Sequence, residues 1–391
     1  MKVPVKLVNA GLAVVLLASA CGGGSTGSPT VSGSGPIRIA LMGIFSGANF
    51  TPGGDNAFKL AIDEINGSGG IAGRQLEYKE FDTGITPQGA VTATSLALQY
   101  QPSVFIGFSI SAGLKASIDA VNSAGVPVIH NTLASLTSPS SLGSDLTFRM
   151  YASTAQFAAA ADSYLLGTLG AKKMMIINTA DSAPTEGARY IQIDADKAGV
   201  TTMHRSVSPT VTDLTEPVLA AKDMGAQAIW EWGYVGDSAL IVKTAAANGF
   251  SGNIMTFSAG SAARNGLIPT SLLTDRVNAV NPCAPYVLGT AEAKKFVSAY
   301  KAKYGTDVND SIATYWYDAV YLLKDAVLAA GSSEPKAVAA KLKTIDHHGI
   351  CGEERADANH NMLHSVQILK FTAPGGAPVL VKDEQNIASP F

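Results

Sequence analysis

The residues with the clearest chemical potential lie in Val104–Gly113, which reads Val-Phe-Ile-Gly-Phe-Ser-Ile-Ser-Ala-Gly. Val104–Phe108 is an apolar run with one glycine, the pattern of a buried strand, and Leu114, Ile118 and Val121 then recur at helical spacing. Ser109 and Ser111 therefore fall in a turn between a strand end and a helix start. A helix N-terminus offers unpaired N–H groups and a partial positive charge, which suits an anion such as a carboxylate. In open α/β sheets small ligands sit outside the carboxyl ends of the strands, where this turn belongs. Ser111 occupies a capping position, so its hydroxyl serves either the helix or a ligand. A nucleophilic alternative pairs Ser111 with His130, which ends the adjacent strand; such a nucleophile also needs an orienting partner. Metal chemistry is a third option. His347, His348, Cys351, His360 and His364 lie within eighteen positions, yet their spacing matches no usual zinc pattern and the segment also reads as a polar loop. No metal or other cofactor is expected.

Elements that position these residues follow from periodicity. Ile37–Phe45 reads as a strand, followed by a helix face at Phe58, Ala61, Ile62 and Ile65 and a glycine-rich stop at 67–73. Leu76–Phe81 alternates with charges, as an edge strand does. Pro87 starts a helix, the Val104 strand and its helix follow, and Val126–His130 is the next strand. The order βαβαβαβ implies a parallel sheet wrapped by helices. After an extended link at Phe148–Tyr151 the same grammar restarts, with strands at 174–178, 201–206, 228–232 and 254–257 separated by helices. Val277–Pro282 reads as a second link. Beyond it come helices at 291–304, 312–330 and 335–342 and two strands at 365–371 and 379–381, too few for a third domain. The expected architecture is α/β, with two Rossmann-like lobes joined by three hinge crossovers. Lobe 1 takes residues 37–150 and 283–364, and lobe 2 takes 151–282 and 365–391.

The chain has 391 residues, 47% hydrophobic and 15% charged, with a net charge of −3 and no basic block. That leaves ample material for two cores and argues against nucleic acid, whose phosphates need a basic footprint. Residues 1–20 read as a signal peptide, with Lys2 and Lys6 before an apolar stretch at 7–20 that is short for a spanning helix. Leu17-Ala-Ser-Ala-Cys21 resembles a bacterial lipobox, with Ala18 where leucine is usual. The resemblance implies cleavage before Cys21 and its lipidation. Residues 21–36 are rich in Gly, Ser, Thr and Pro, a tether. The remaining cysteines, Cys283 and Cys351, read as one disulfide in an oxidising compartment, with two buried thiols as the alternative.

Several segments together resemble the leucine/isoleucine/valine-binding proteins, type I periplasmic binding proteins that serve ABC importers. They are Gly43–Gly47, Ala61–Gly73, Asp82 with Pro87–Ala90, Ile106-Gly107, Gly125–Ile129, Phe148-Arg149, Glu186-Gly187 and Gly233-Tyr234, in the family's order over about residues 37–381. The resemblance implies a solute-binding protein that closes two lobes on a small ligand, with no enzymatic activity. It places the ligand carboxylate at Ser111 and Ala112 and at the loop of Leu133, Ala134 and Ser135, with Phe50 lining the cleft. On lobe 2 it implies Tyr234, Thr185 and Ser258.

That second lobe departs from the family pattern. Pro184-Thr185 stands where a tyrosine is usual, and Ser258 where amino-acid binders place an acid for the ligand ammonium. Either Glu231 or Asp237 substitutes, or the ligand is not an α-amino acid. The expected protein is a lipid-anchored extracytoplasmic monomer working with an ABC permease on a small carboxylate-bearing or amino-acid-like ligand. A sensor of the same fold is the alternative. A dinucleotide-binding domain would need Gly-x-Gly-x-x-Gly after the first strand, and Gly43–Gly47 lacks it.

Overall fold

The computed structural model describes residues 1, 31–46, 52–308, 312–357, 359–362, 364–375 and 377–387. The signal segment, Cys21 and Phe50 lie outside the described residues.

Lobe 1 is built on strands β1 (Ile37–Gly43), β2 (Leu76–Asp82), β3 (Val104–Gly107), β4 (Val128–His130) and β5 (Thr147–Arg149). They form one sheet in the order β2-β1-β3-β4-β5, and each pair is parallel. Helices α1 (Pro52–Gly67), α2 (Pro87–Gln99), α3 (Ser111–Ala124) and the short α4 (Pro139–Leu142) connect them. Period two divides β1 between two cores. Ile37, Ile39 and Leu41 pack with α1, whereas Ala40 and Met42 pack with residues of α2 and α3. β2 lies at the sheet edge and shows the alternating exposure its charges call for.

Lobe 2 carries α5 (Thr154–Asp162), β6 (Lys173–Thr179), α6 (Ser182–Lys197), β7 (Thr201–Val207), α7 (Thr215–Asp223), β8 (Ala228–Trp232), α8 (Val235–Ala247), β9 (Asn253–Thr256), α9 (Ala259–Arg264) and β10 (Val277–Asn281). The chain then returns to lobe 1 for α10 (Ala291–Tyr304), α11 (Ala313–Ala330) and α12 (Pro335–Leu342); α11 packs along α1. A hairpin, β11 (Asp346–Gly349) and β12 (Gly352–Arg355), follows. The last strands, β13 (His364–Lys370) and β14 (Val379–Ile387), complete the lobe 2 sheet in the order β14-β13-β10-β9-β8-β6-β7, with β13 antiparallel to both neighbours.

Two stretches read from sequence as links are strands. Thr147–Arg149 is fully buried and pairs with β4, and Val277–Asn281 sits inside its sheet between β9 and β13. Both are short, and their partners are distant in sequence, so no local alternation betrays them. Likewise the polar loop expected near His347 is the β11–β12 hairpin.

Three crossovers join the lobes. The first runs from Arg149 to Ser153, where a capping box of Ser153 and Gln156 starts α5. The third lies beside it: Arg149 N donates to the His360 carbonyl, and Met362 N to that of Arg149. The second follows β10, where Ala284 N donates to Gln367 Oε1 at 2.7 Å. Cys283 on this crossover is disulfide-bonded to Cys351 at the hairpin turn, with Cα atoms 5.9 Å apart. Upstream of β1, part of the expected tether is held to lobe 1. Arg74 donates to the Ser32 and Gly35 carbonyls, each at 2.9 Å, and Ser32 N donates to Gly331 O at 2.8 Å.

Candidate functional site

The lobes meet at the carboxyl ends of their parallel strands. On lobe 1, β3 ends at Gly107 with φ +116°, where a Cβ would lie 1.9 Å from the Met42 carbonyl oxygen. Only glycine lets the chain leave the sheet here, and the exit delivers Ser109–Ser111 to the sheet's upper edge. Ser111 is the first residue of α3 rather than its cap. The N-cap is Ile110, which makes no side-chain capping bond. The Ser111 hydroxyl is buried and instead accepts from Ala134 N at 3.4 Å, tying α3 to the loop after β4.

That loop, Asn131–Ser135, is fixed from below. Arg149 is 1% exposed; its Nε donates to Asn361 Oδ1 at 2.9 Å, Nη1 to Thr132 O at 2.7 Å and Nη2 to Ala134 O at 3.2 Å. Burial lowers the guanidinium pKa to about 10, with Glu186 and Asp357 opposing the shift, so it stays cationic at neutral pH. A second line of bonds ends on the same carbonyl: Thr132 Oγ1 donates to Thr137 Oγ1 and Thr137 Oγ1 to Ala134 O, both at 2.8 Å. Thr132 has then spent its proton, so the 2.8 Å contact to His130 Nδ1 requires the histidine to donate. His130 is fully buried, and burial together with Arg149 pushes its pKa well down. It is a neutral ring serving Thr132, not a base on Ser111, so the nucleophilic pair considered from sequence is not formed.

On lobe 2, α6 begins at the Asp181 cap, which accepts from Ser182 N at 2.6 Å and from the Tyr234 hydroxyl. Burial and the bond to Asp181 hold the Tyr234 phenol above its ordinary pKa. One turn into α6, Glu186 crosses to lobe 1, its two oxygens 2.9 and 3.2 Å from Ser135 N. Gly187 lets α6 lie close on β8, because a Cβ there would run into the Trp232 ring at 2.3 Å. Thr185 is exposed and accepts from Asn178 Nδ2 at 3.2 Å.

Both acids considered as ammonium partners already accept hydrogen bonds within lobe 2. Glu231 is 1% exposed; burial holds its carboxyl far above the usual range, and it accepts from Ser238 Oγ at 2.9 Å. Asp237 accepts from Tyr234 N at 3.0 Å and Thr179 Oγ1 at 2.7 Å, closing the first turn of α8. Ser258 stands at the N-cap position of α9 without a side-chain capping bond, and its N–H donates to Ser238 Oγ at 3.2 Å. Trp230 and Trp232 are fully buried and stacked, with centroids 5.2 Å apart, which is sheet-face packing. Phe257, partly exposed beside Ser258, ends this stack 5.1 Å from Trp232.

Ser111, Leu133 and Ser135 thus share one wall, with Ala112 exposed on the first turn of α3, and Thr185, Tyr234 and Ser258 lie at the strand ends of the other. Sequence reasoning gave no individual role to Arg149, Asp181, Glu186 or Phe257. Phe148-Arg149 and Glu186-Gly187 were visible only as parts of a pattern. Of the residues weighed as metal ligands, Cys351 is in the disulfide and two histidines meet carboxylates. His347 Nδ1 lies 2.8 Å from Asp325, His348 Nδ1 lies 2.7 Å from Glu353, and among the described residues no three His, Cys, Asp or Glu side chains gather as a metal site.

Comparison with known proteins adds to this geometry. A family model described as "Periplasmic binding protein" matches residues 36–377. The Leu/Ile/Val-binding protein homolog 8 of Brucella abortus is 25% identical over 306 residues, 74% of each chain. The branched-chain amino acid transporter substrate-binding protein LivJ of Streptococcus pneumoniae, solved with isoleucine, superposes with a TM-score of 0.77. It is 23% identical, and the match covers 90% of this chain and 99% of that one. A solute-binding protein of an ABC transporter from R. palustris, solved with benzoate, has a TM-score of 0.76 at 18% identity, covering 91% and 98%.

Proposed function

Since the chain belongs to the periplasmic binding protein family, a family of ABC-transporter-type solute-binding proteins rather than enzymes, we propose that it captures a small carboxylate-bearing solute between its lobes for an ABC importer. Hinge closure is the working motion, periplasmic binding proteins being a standard case of it. Open and closed forms exchange, and contacts from both lobes select the closed one. Cys21 provides a lipid anchor that keeps the protein at the outer face of the membrane.

The observation that carries this reading is the Ser135 amide. It stands at the strand ends of lobe 1, on a peptide whose carbonyl is pinned by the buried Arg149, and it already accommodates a carboxylate. Lobe 2 supports an apolar body in preference to an ammonium. Burial disfavours the charged form of Glu231 and Asp237 bonds within the first turn of α8, while Phe257 offers a partly exposed ring. Burying an ammonium without a partner would cost several kcal/mol. The favoured ligands are therefore aromatic or aliphatic monocarboxylates, the class that includes the benzoate held by the R. palustris protein. Calorimetric titration with benzoate, phenylacetate, isovalerate and leucine tests it. Binding of the acids in preference to leucine supports the reading, and binding of leucine alone overturns it.

A further inference from the structure

Glu186 and a ligand carboxylate would draw on one donor. The Glu186 oxygens lie against Ser135 N at 2.9 and 3.2 Å, a bond from α6 of lobe 2 to the loop after β4 of lobe 1. The carbonyl of that same peptide takes hydrogen bonds from Arg149 Nη2 and Thr137 Oγ1. Both polarise the peptide so that its N–H becomes a stronger donor toward an anion. Ala134 N, one residue earlier, has only the 3.4 Å contact to Ser111 Oγ. An incoming carboxylate therefore finds its best donor held by an acid of the protein itself.

We propose that Glu186 is a specificity-determining residue, an internal carboxylate that holds the Ser135 amide and yields it only to the carboxylate of the solute. The proposal rests on the reading above, in which the solute acid binds this amide. Two consequences follow. A neutral isostere of the right shape is rejected, because it cannot replace the charge-assisted bond that it must break. An acid pays for displacement, so its apparent affinity is lowered by the fraction of protein in which Glu186 is engaged. The same bond draws the lobes together when no solute is added.

The test uses the full chain as wild type, Glu186→Ala, Ser135→Pro and the double variant. Proline removes the contested N–H, and Ala134 already has the extended backbone (φ −71°, ψ 153°) that a residue before proline requires. Spin labels on Lys115→Cys in α3 and Lys243→Cys in α8, both exposed positions, report the inter-lobe distance with no solute added. Benzoate, benzamide and leucine are titrated calorimetrically. The expected result is a longer, broader distance distribution in Glu186→Ala and in Ser135→Pro, with no further change in the double variant. Benzoate should bind Glu186→Ala about tenfold more tightly, the size of one hydrogen bond to a charged group, and benzamide should gain nothing. An unchanged distance distribution overturns the proposal, as does weaker leucine binding in Glu186→Ala, which would make Glu186 an ammonium partner. If none of the three solutes binds any variant, the monocarboxylate reading fails, and the distance measurement still decides whether Glu186 holds the lobes.

Discussion

Arg149 and Glu186 address opposite ends of one peptide group. The guanidinium donates to the Ala134 carbonyl at 3.2 Å from inside lobe 1, and the carboxylate accepts from the Ser135 N–H at 2.9 Å from lobe 2. The cation is fully buried and the anion half-buried, which divides their labour. Arg149 fixes the loop from within its own lobe, whereas Glu186 reaches it from the other lobe.

Replacing Arg149 by lysine tests the first half. A single ammonium cannot reach Asn361 Oδ1, Thr132 O and Ala134 O together, so buried acceptors lose their partners at about 1–3 kcal/mol each. Arg149→Lys should unfold at clearly lower urea concentration and bind benzoate at least about tenfold more weakly, the latter by loss of loop geometry. Wild-type stability and affinity in this variant would show that the loop needs no support from below.

Ser111 and Tyr234 are argued from opposite walls. Removing the Ser111 hydroxyl frees Ala134 N and loosens α3 from the loop after β4, and removing the Tyr234 ring takes away the phenol that donates to Asp181. Ser111→Ala and Tyr234→Ala should each weaken benzoate binding by about tenfold or more, the size expected for a lost buried contact. Tyr234→Phe separates ring from hydroxyl: retention of affinity assigns the effect to the ring. Unchanged affinity in both alanine variants would remove these residues from the site.

The strand-to-helix switch at Val104–Leu114 was legible because a continuous apolar run gives way to period 3.6 within a few residues, which put Ser111 at the helix start. What was illegible depends on long-range approach. Glu186 is a polar residue near the start of a surface helix, and only the arrival of lobe 1 gives it a role. Arg149 takes its partners from positions as far as Asn361, so its burial leaves no local trace. β5 and β10 are short and fully buried, and without alternation they read as links. The β11–β12 hairpin is a two-stranded ribbon outside the main sheets, polar enough to pass for loop. Trp230 and Trp232, aromatic types that would suit a ligand wall, lie on a strand flanked on both sides and are buried in the sheet face.

The Cys283–Cys351 bond ties the second crossover to the hairpin that precedes the third, closing a loop with a sequence separation of 68. Loop-closure entropy for that length gives a stabilisation of about 4 kcal/mol. Intact-mass analysis of protein from an oxidising compartment should show the loss of two hydrogens. Reduction or Cys351→Ser should lower the unfolding midpoint and widen the inter-lobe distance distribution, since both cysteines flank hinge segments. Two free thiols in that protein would refute the link.

Asp318 and Glu354 share a buried space beside Gly349, where a Cβ on the glycine would lie 2.7 Å from Asp318 Oδ2 and 3.3 Å from the Glu354 carboxyl carbon. Burial raises both pKa values, Asp318 from 3.8 to about 6 and Glu354 well above 4.5; His347, the Ile350 amide and His348 oppose the shift at Asp318, and Asp318 adds to it at Glu354. A carboxyl with a raised folded-state pKa binds its proton more tightly folded than unfolded. Its stabilising contribution is complete below the unfolded value and is lost as pH rises through the folded one. The pair should therefore cost stability progressively from about pH 4 upward, through about pH 6 for Asp318. Asp318→Asn removes one charge while keeping an oxygen for Ile350 N, which Asp318 Oδ2 accepts at 2.9 Å. Urea unfolding should find Asp318→Asn close to wild type near pH 4 and more stable than wild type at pH 7.5. A variant less stable than wild type at pH 7.5 would mean that the ionised carboxylate supports the hairpin, and the pair would then have to be read as a structural anchor.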